Sequence, residues 1–349
     1  MKIIIIKWLL SLQIGLDKVE ELFMWMKRKL AMIATAALAV MLVAAGCGNN
    51  GNTGNEGGNS GAVNTNSGES DGAAYPVTIK HAKGETVLEE KPMTAAITYF
   101  PYAEHLFAIG EESVVGGVVG LTALQNFTVY EPYVMDKPIA DLGDETNLEQ
   151  ITALNPDVII AWEADDAQYD QLSKIADTIV INSNENWQET IVQVAAVFSA
   201  EEKAEQYIQD YEAKLKEVAA LMDTTGEKGK SALFVMTWGK GFNYYGGARM
   251  APYYEHLGFK SFDTLEDYGE IGLEGVSELD PDYIFLGKDF TNSAETQLEE
   301  LEKNPVWNRL KAVKSGKVFI VDTEILGPLA MGQSKGLTFM ESIMTNGNS

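Results

Sequence analysis

The chain has 349 residues, with 26 Lys and Arg against 51 Asp and Glu, for a formal net charge of −25. So negative a balance excludes nucleic acid as a partner, because phosphate backbones are bound by neutralising cations. A single cysteine excludes an internal disulfide, so packing alone has to hold the fold together.

The first elements read as an address. Residues 1–46 form a leader, within which 1–25 read as an upstream start-site extension, apolar to Leu16 and then charged. Lys27, Arg28 and Lys29 precede an apolar run of 17 residues from Leu30 to Gly46, closed by small residues and by Cys47. The pattern resembles a bacterial lipoprotein signal, in which the Cys47 thiol is diacylated and becomes the mature N-terminus. Ala44 departs from it, standing where Leu, Val or Ile is preferred. A plain secretory signal and a membrane anchor are the alternatives, since the run reaches the lower limit for a span. Residues 47–74 continue in Gly, Asn, Ser and Thr, too poor in apolar surface to pack, and read as a disordered tether. The expected location is the extracytoplasmic face of the cell membrane, held there by a lipid.

From 75 to 185, apolar strands (VTIKH, AAITY, VVGGVV, DVIIAW, TIVIN) alternate with helical patterns such as YAEHLFAIG. This alternation predicts a parallel-rich α/β lobe. Residues 186–223 contain no Gly or Pro and keep helical apolar spacing with interleaved Glu and Lys, which predicts a helical connector. The strand and helix alternation returns across 224–349.

The strongest internal signal is a repeat. NLEQITALNPDVIIAW at 147–162 and GLEGVSELDPDYIFLG at 272–287 share six of sixteen residues at an offset of 125. Each copy reads as a short helix stopped by a proline and followed by a buried strand. The expected architecture is α/β, with two similar lobes, each a mostly parallel sheet flanked by helices, joined by one long helix. Interlobe motion is then a modest tilt. Glu149 and Glu274 fall at the same repeat position, at the start of corresponding helices, where the helix dipole favours a carboxylate. Paired acidic knobs suit docking on a two-fold partner.

The leader, the tether, the two lobes, the helical connector and the paired LE…L.PD.I motif together resemble the substrate-binding proteins of iron-siderophore, haem and cobalamin ABC importers. YAEHLFAIG at 102–110, YYGGARMAPYYEHLGF at 244–259 and NPVWNRLKAVKSGKVFIVD at 304–322 fit the same resemblance. It implies a monomeric binding protein that docks on a permease dimer driven by a cytoplasmic ATPase. Glu149 and Glu274 would then be the permease-docking carboxylates.

Loops at strand ends in α/β sheets line ligand clefts. That rule selects Tyr99, Phe100 and Tyr102; Trp162; Trp238, Phe242, Tyr244, Tyr245 and Arg249; and Lys288, with Lys240 a weaker candidate. The cleft is expected to be aromatic and poor in cations. In the resembling hydroxamate binders, an arginine in the loop that holds Arg249 contacts the oxygens that bind iron. Scarce basic residues fit a near-neutral ferric hydroxamate better than a trianionic tris-catecholate. The siderophore's own oxygens would hold the iron, so no protein cofactor or metal ligand is expected. Haem or cobalamin is the alternative ligand. His81, His105 and His256 show no metal-ligand spacing. No phosphate loop, GxSxG elbow or HExxH motif points to an enzyme.

Overall fold

The computed structural model describes residues 75–181, 186–238, 241–287 and 293–346, without the side chains at 238, 293–297 and 346. The leader, Cys47 and the tether lie outside the described residues. The first strands, β1 (Val77–His81) and β2 (Gly84–Leu88), form an antiparallel hairpin of their own. VTIKH thus stands apart from the main sheet.

The first lobe then runs β3 (Ala95–Ile97), α1 (Phe100–Ala108), β4 (Val115–Val118), α2 (Leu121–Gln125), α3 (Glu131–Val134), β5 (Ala140–Asp141), α4 (Leu148–Leu154), β6 (Val158–Trp162), α5 (Tyr169–Leu172) and β7 (Asp177–Ile181). Its sheet has the order β5-β4-β3-β6-β7, and every pairing is parallel. The central strands are covered on both faces, which is why AAI and VIIA are apolar without alternation.

The connector holds two helices, α6 (Trp187–Ala196) and the 25-residue α7 (Glu201–Thr225). The expected long helix is α7. It does not begin at 186, because the chain turns through Ser199, whose φ is 52°. Apolar periodicity cannot register such a break when neither Gly nor Pro marks it.

The second lobe comprises β8 (Ala232–Trp238), β9 (Gly241–Tyr245), β10 (Tyr268–Ile271), α8 (Leu273–Leu279), β11 (Tyr283–Gly287), α9 (Ser293–Glu302), α10 (Lys311–Lys314), β12 (Val318–Val321) and α11 (Ala330–Asn346). Its order is β10-β9-β8-β11-β12; β8, β11 and β12 are parallel, whereas β9 and β10 pair antiparallel.

The repeat is structural. Helices α4 and α8 are both seven residues long, and the strands that follow them take the fourth place in their sheets. Asn155 and Asp280 end the helices in the left-handed conformation, at φ 51° and 44°. The next motif residue but one pins the neighbouring strand. Asp157 Oδ2 accepts the amides of Met93 and Thr94, each at 2.9 Å. Asp282 Oδ2 accepts the Ser231 amide at 2.9 Å and its hydroxyl at 3.0 Å.

One apolar core runs through both lobes, from Ile97 and Leu106 through Val218 of α7 to Phe234, Phe285 and Leu337. Each sheet buries its other face in a separate cluster, around Ile159 in the first lobe and Ile284 in the second. A shared helical layer therefore joins the lobes. Helix α11 returns from the second lobe to pack on α1 and α7. The Met331 amide donates to Glu104 Oε1 at 2.5 Å, and glycines at 332 and 336 let α11 approach the Glu324 carbonyl and the Tyr253 hydroxyl.

Candidate functional site

The first lobe offers an aromatic ledge. Thr98 ends β3 by donating to Asp165 Oδ2 at 2.5 Å and accepting the Trp162 amide at 2.9 Å, which locks the ends of β3 and β6 together. Tyr99 and Trp162 then stack, with ring centroids 4.5 Å apart and planes 12° apart.

Beside the ledge, a cavity of about 180 Å³ lies between the lobes. The first lobe contributes Phe100, Phe127 and Tyr130; the second contributes Tyr245, Arg249, Thr323, Glu324 and the 326–329 segment. The Arg249 guanidinium lies over the Tyr245 ring, 5.3 Å from its centroid. Burial pushes the Tyr99 and Tyr245 phenols above their ordinary value, while the Arg249 charge pulls both back down. Arg249 thus acts electrostatically on both lobes. No described residue accepts a hydrogen bond from it or pairs with its charge, so its donors remain available.

Glu324 is 5 % exposed and joins the lobes. Its Oε1 accepts the Thr128 hydroxyl at 2.8 Å, the Val129 amide at 3.0 Å and Lys335 Nζ at 3.0 Å. Lys335 also lies 2.7 Å from Asp322 Oδ2. Burial, reinforced by the nearby carboxylates of Glu104 and Glu324, pushes the Tyr130 phenol well above its ordinary value. Tyr130 therefore lines the cavity as a neutral phenol whose hydroxyl is buried.

Several expected cleft residues lie elsewhere. Tyr102 is fully buried, and its hydroxyl donates to the Ile181 carbonyl at 2.9 Å. It faces the core because α1 begins at Phe100, turning Tyr102 inward from the strand end. Phe242 and Tyr244 are 3 % and 8 % exposed, in the outer core of the second lobe. Side chains alternate along a strand, so Tyr244 and Tyr245 cannot share a face. Strand β9 also turns back, pairing Tyr245 with Phe234 near the start of β8. Tyr245 reaches the cavity from the sheet face rather than from a strand end. Lys240, Lys288 and the side chain of Trp238 lie outside the described residues.

The histidines do not converge. The His81 ring bonds Thr86 and the Val180 amide. His105 is packed at 2 % exposed, its Nδ1 2.8 Å from Glu104 Oε2 without hydrogen-bond geometry. His256 is exposed. Among the described residues no three His, Cys, Asp or Glu gather as a metal site, and no helix is long and apolar enough to cross a membrane. Glu149 and Glu274 are both exposed; Asn147 Oδ1 caps α4 by accepting the amides of Glu149 and Gln150 at 3.0 and 3.2 Å.

Phe127, Tyr130, Thr323 and Glu324 were not among the residues expected from sequence. Thr323 and Glu324 follow strand KVFIVD, so the strand-end rule could have selected them. Phe127 and Tyr130 sit between two short helices and carry no comparable signal.

Comparison with known proteins accords with this geometry. Iron(3+)-hydroxamate-binding protein YxeB of Bacillus subtilis (strain 168) is 26% identical over 328 residues, which cover 87% of this chain and 92% of that protein. Ferric-anguibactin-binding protein FatB of Vibrio anguillarum (strain ATCC 68554 / 775) is 28% identical over 71% of this chain and 80% of its own. The triscatecholate siderophore binding protein FeuA of Bacillus subtilis, solved with Ferri-Bacillibactin, superposes with a TM-score of 0.61 at 25% identity, covering 77% of this chain and 98% of FeuA. These are binding proteins rather than enzymes. The family model described as Periplasmic binding protein matches residues 96–325, and the chain belongs to that family.

Proposed function

We propose that this protein captures a ferric siderophore of the hydroxamate type between its lobes and delivers it to the permease of an ABC importer. The observation that carries this reading is the cavity wall. It is largely aromatic and aliphatic, and among the described residues Arg249 is its only cation, with its donors unengaged. Fixed guanidinium donors suit the oxygens of a near-neutral chelate. A trianionic tris-catecholate would leave most of its charge uncompensated there. The match to YxeB over nearly its whole length supports the same class.

The cavity is smaller than the roughly 300–1,000 Å³ of an enclosing ligand pocket. It would grip one side of the chelate, with the rest in the open cleft along the Tyr99–Trp162 ledge. The iron stays wrapped in the siderophore's oxygens, and the protein performs no chemistry on it. Glu149 and Glu274 would meet the two halves of the permease, and a lipid on Cys47 would hold the protein at the membrane surface.

Tryptophan fluorescence of the chain from residue 75 onward, titrated with a ferric trihydroxamate, a ferric tris-catecholate, haem and cobalamin, tests the reading. Saturable quenching by the hydroxamate at submicromolar concentration is expected, weakened more than tenfold in Arg249→Ala and largely lost in Trp162→Phe. Quenching by haem or cobalamin alone would replace the ligand class.

A further inference from the structure

We propose that the outer end of the second lobe binds an amphiphile with a phosphate head, the head among lysines and the hydrocarbon chain in an adjoining apolar hollow. Strands β8, β11 and β12 run parallel, and their starts set Lys230, Asp282 and Lys317 side by side. The Tyr283 amide donates to the Ser231 carbonyl and the Ile284 amide to the Lys317 carbonyl, which fixes that edge. Helix α10 packs against it through a bond from the Ala312 amide to the Pro281 carbonyl at 3.2 Å, and adds Lys311 and Lys314. With Ser315, these residues line a hollow of about 370 Å³. Four lysines and one aspartate share its wall, in a chain with 26 basic against 51 acidic residues, so average composition does not account for the cluster. Lys317 pairs with Glu227 at 2.9 Å and Lys311 with Asp280 at 3.4 Å, while among the described residues no carboxylate forms an ion pair with Lys230 or Lys314. Both of these lysines are exposed.

A second hollow, of about 400 Å³, shares Ser315 and Lys317 with the first and continues over Tyr283, Phe319, Ile343 and Met344. Its polar groups are already engaged. Both oxygens of Glu227 accept from Lys317 Nζ at 2.9 Å, and that ammonium lies 4.4 Å from the centre of the Tyr283 ring. The Thr225 and Ser342 hydroxyls donate to the Leu221 and Phe339 carbonyls. What remains of this wall is aromatic and aliphatic, and covering the half-buried Phe319 and Ile343 removes apolar surface from water. Each hollow has the size of a small-ligand site. In the first, two ammoniums free of ion pairs match the roughly −1.5 to −2 charge of a phosphate monoester at neutral pH, whereas a carboxylate matches only one. Charge in one hollow and an apolar wall in the next select a ligand that has both. The site is separate from the interlobe cavity, because Thr323 and Glu324 follow the far end of β12, a strand of four residues and about 13 Å.

The test is calorimetric titration of the chain from residue 75 onward, which contains every strand of both sheets, with octyl phosphate, octanoate, octyl glucoside and inorganic phosphate, the amphiphiles below their micelle-forming concentrations. Octyl phosphate is expected to bind one to one and at least tenfold more tightly than any of the other three, with butyl and hexyl phosphate falling in order between it and inorganic phosphate. Lys230→Gln with Lys314→Gln should weaken octyl phosphate at least tenfold and leave octyl glucoside unchanged. Ile343→Gln should bring octyl phosphate to within threefold of inorganic phosphate, and unchanged melting of both variants confirms that they fold. The chain-length series reads the apolar hollow in the wild type even where Ile343→Gln melts early. Inorganic phosphate or octanoate binding as tightly as octyl phosphate overturns the amphiphile site, and so does an affinity for octyl phosphate that the paired lysine substitutions leave unchanged. None of these outcomes bears on the siderophore reading, which the Arg249→Ala titration tests.

Discussion

The two lobes begin from one motif and diverge where it ends. In the first, β6 closes with Trp162, which stacks on Tyr99 as a ledge. At the equivalent place in the second stands Gly287, where a Cβ would lie 2.5 Å from Leu326 Cδ1. The small residue lets the 326–329 segment descend onto the sheet and line the cavity. The sheets diverge too. The first is parallel throughout, while in the second β9 runs antiparallel to both its neighbours, β8 and the edge strand β10, and the chain leaving β9 carries Arg249. A duplicated frame thus recurs in both lobes, and departures from the repeat supply the residues of the proposed site.

The greatest effect expected from breaking this equivalence falls on the proposed docking pair. Reversal of both carboxylates, Glu149→Arg with Glu274→Arg, should abolish siderophore uptake by cells while leaving the affinity of the purified protein within twofold. Each single reversal should impair uptake to a similar extent. Normal uptake by the double variant would remove the docking assignment.

The next comparison lies in the core. Ile160 and Phe285 hold the same repeat position, both 0 % exposed, but Phe285 stacks on Phe234 at 4.7 Å and on Phe319 at 5.8 Å. Phe285→Ala should cost about 3–5 kcal/mol and Ile160→Ala about 2–5, with the phenylalanine the larger, read from urea midpoints at constant slope. A larger loss at Ile160 would show that the aromatic stack adds little.

The repeat aspartates come third. Burial pushes the Asp282 carboxyl up, but the hydrogen bonds from Ser231 and the charges of Lys311 and Lys230 outweigh it and hold the group below its ordinary value. Its stabilisation is therefore complete above the unfolded-state pKa of about 3.9 and is lost as pH falls through the lower folded-state pKa. Asp282→Asn should cost about 1–3 kcal/mol at neutral pH and flatten the loss of melting temperature below pH 4. An unchanged acid limb would remove Asp282 from the account.

The smallest effect concerns the helix starts. Asn147 caps α4 through its side chain, whereas Gly272 before α8 has none to offer. Asn147→Ala should lower stability by about 1 kcal/mol, and Gly272→Asn should raise it by a few tenths, in the same urea series.

Much of the frame was legible because the repeat fixes local structure twice. A proline after a seven-residue helix and an aspartate before an apolar strand leave little freedom, and both lobes obey. The turned-back β9 was not legible, since GFNYY has the composition of any strand and nothing local sets its direction. For that reason Phe242 and Tyr244 were placed in the cleft although they serve the core. Trp162 and Arg249 are both selected by their strand ends, and resemblance singles out Arg249. Tyr130 escaped because its place in the cavity wall depends on a contact between segments nearly 200 residues apart, which no local pattern encodes, whereas Glu324 follows a strand end that the same rule could have selected.

The return of α11 to the first lobe has a practical consequence. The chain passes between the lobes once through α6 and α7 and again through α11, and the second passage is fastened by the bond from the Met331 amide to Glu104. Two straps of helix resist separation better than one. A reporter built from a pair of dyes, one on each lobe, would therefore gain little energy-transfer signal from ligand capture. A single environment-sensitive dye beside Trp162 would make the better sensor for capture at the proposed ledge, since the two straps favour a change in local surroundings over a change in the distance between the halves.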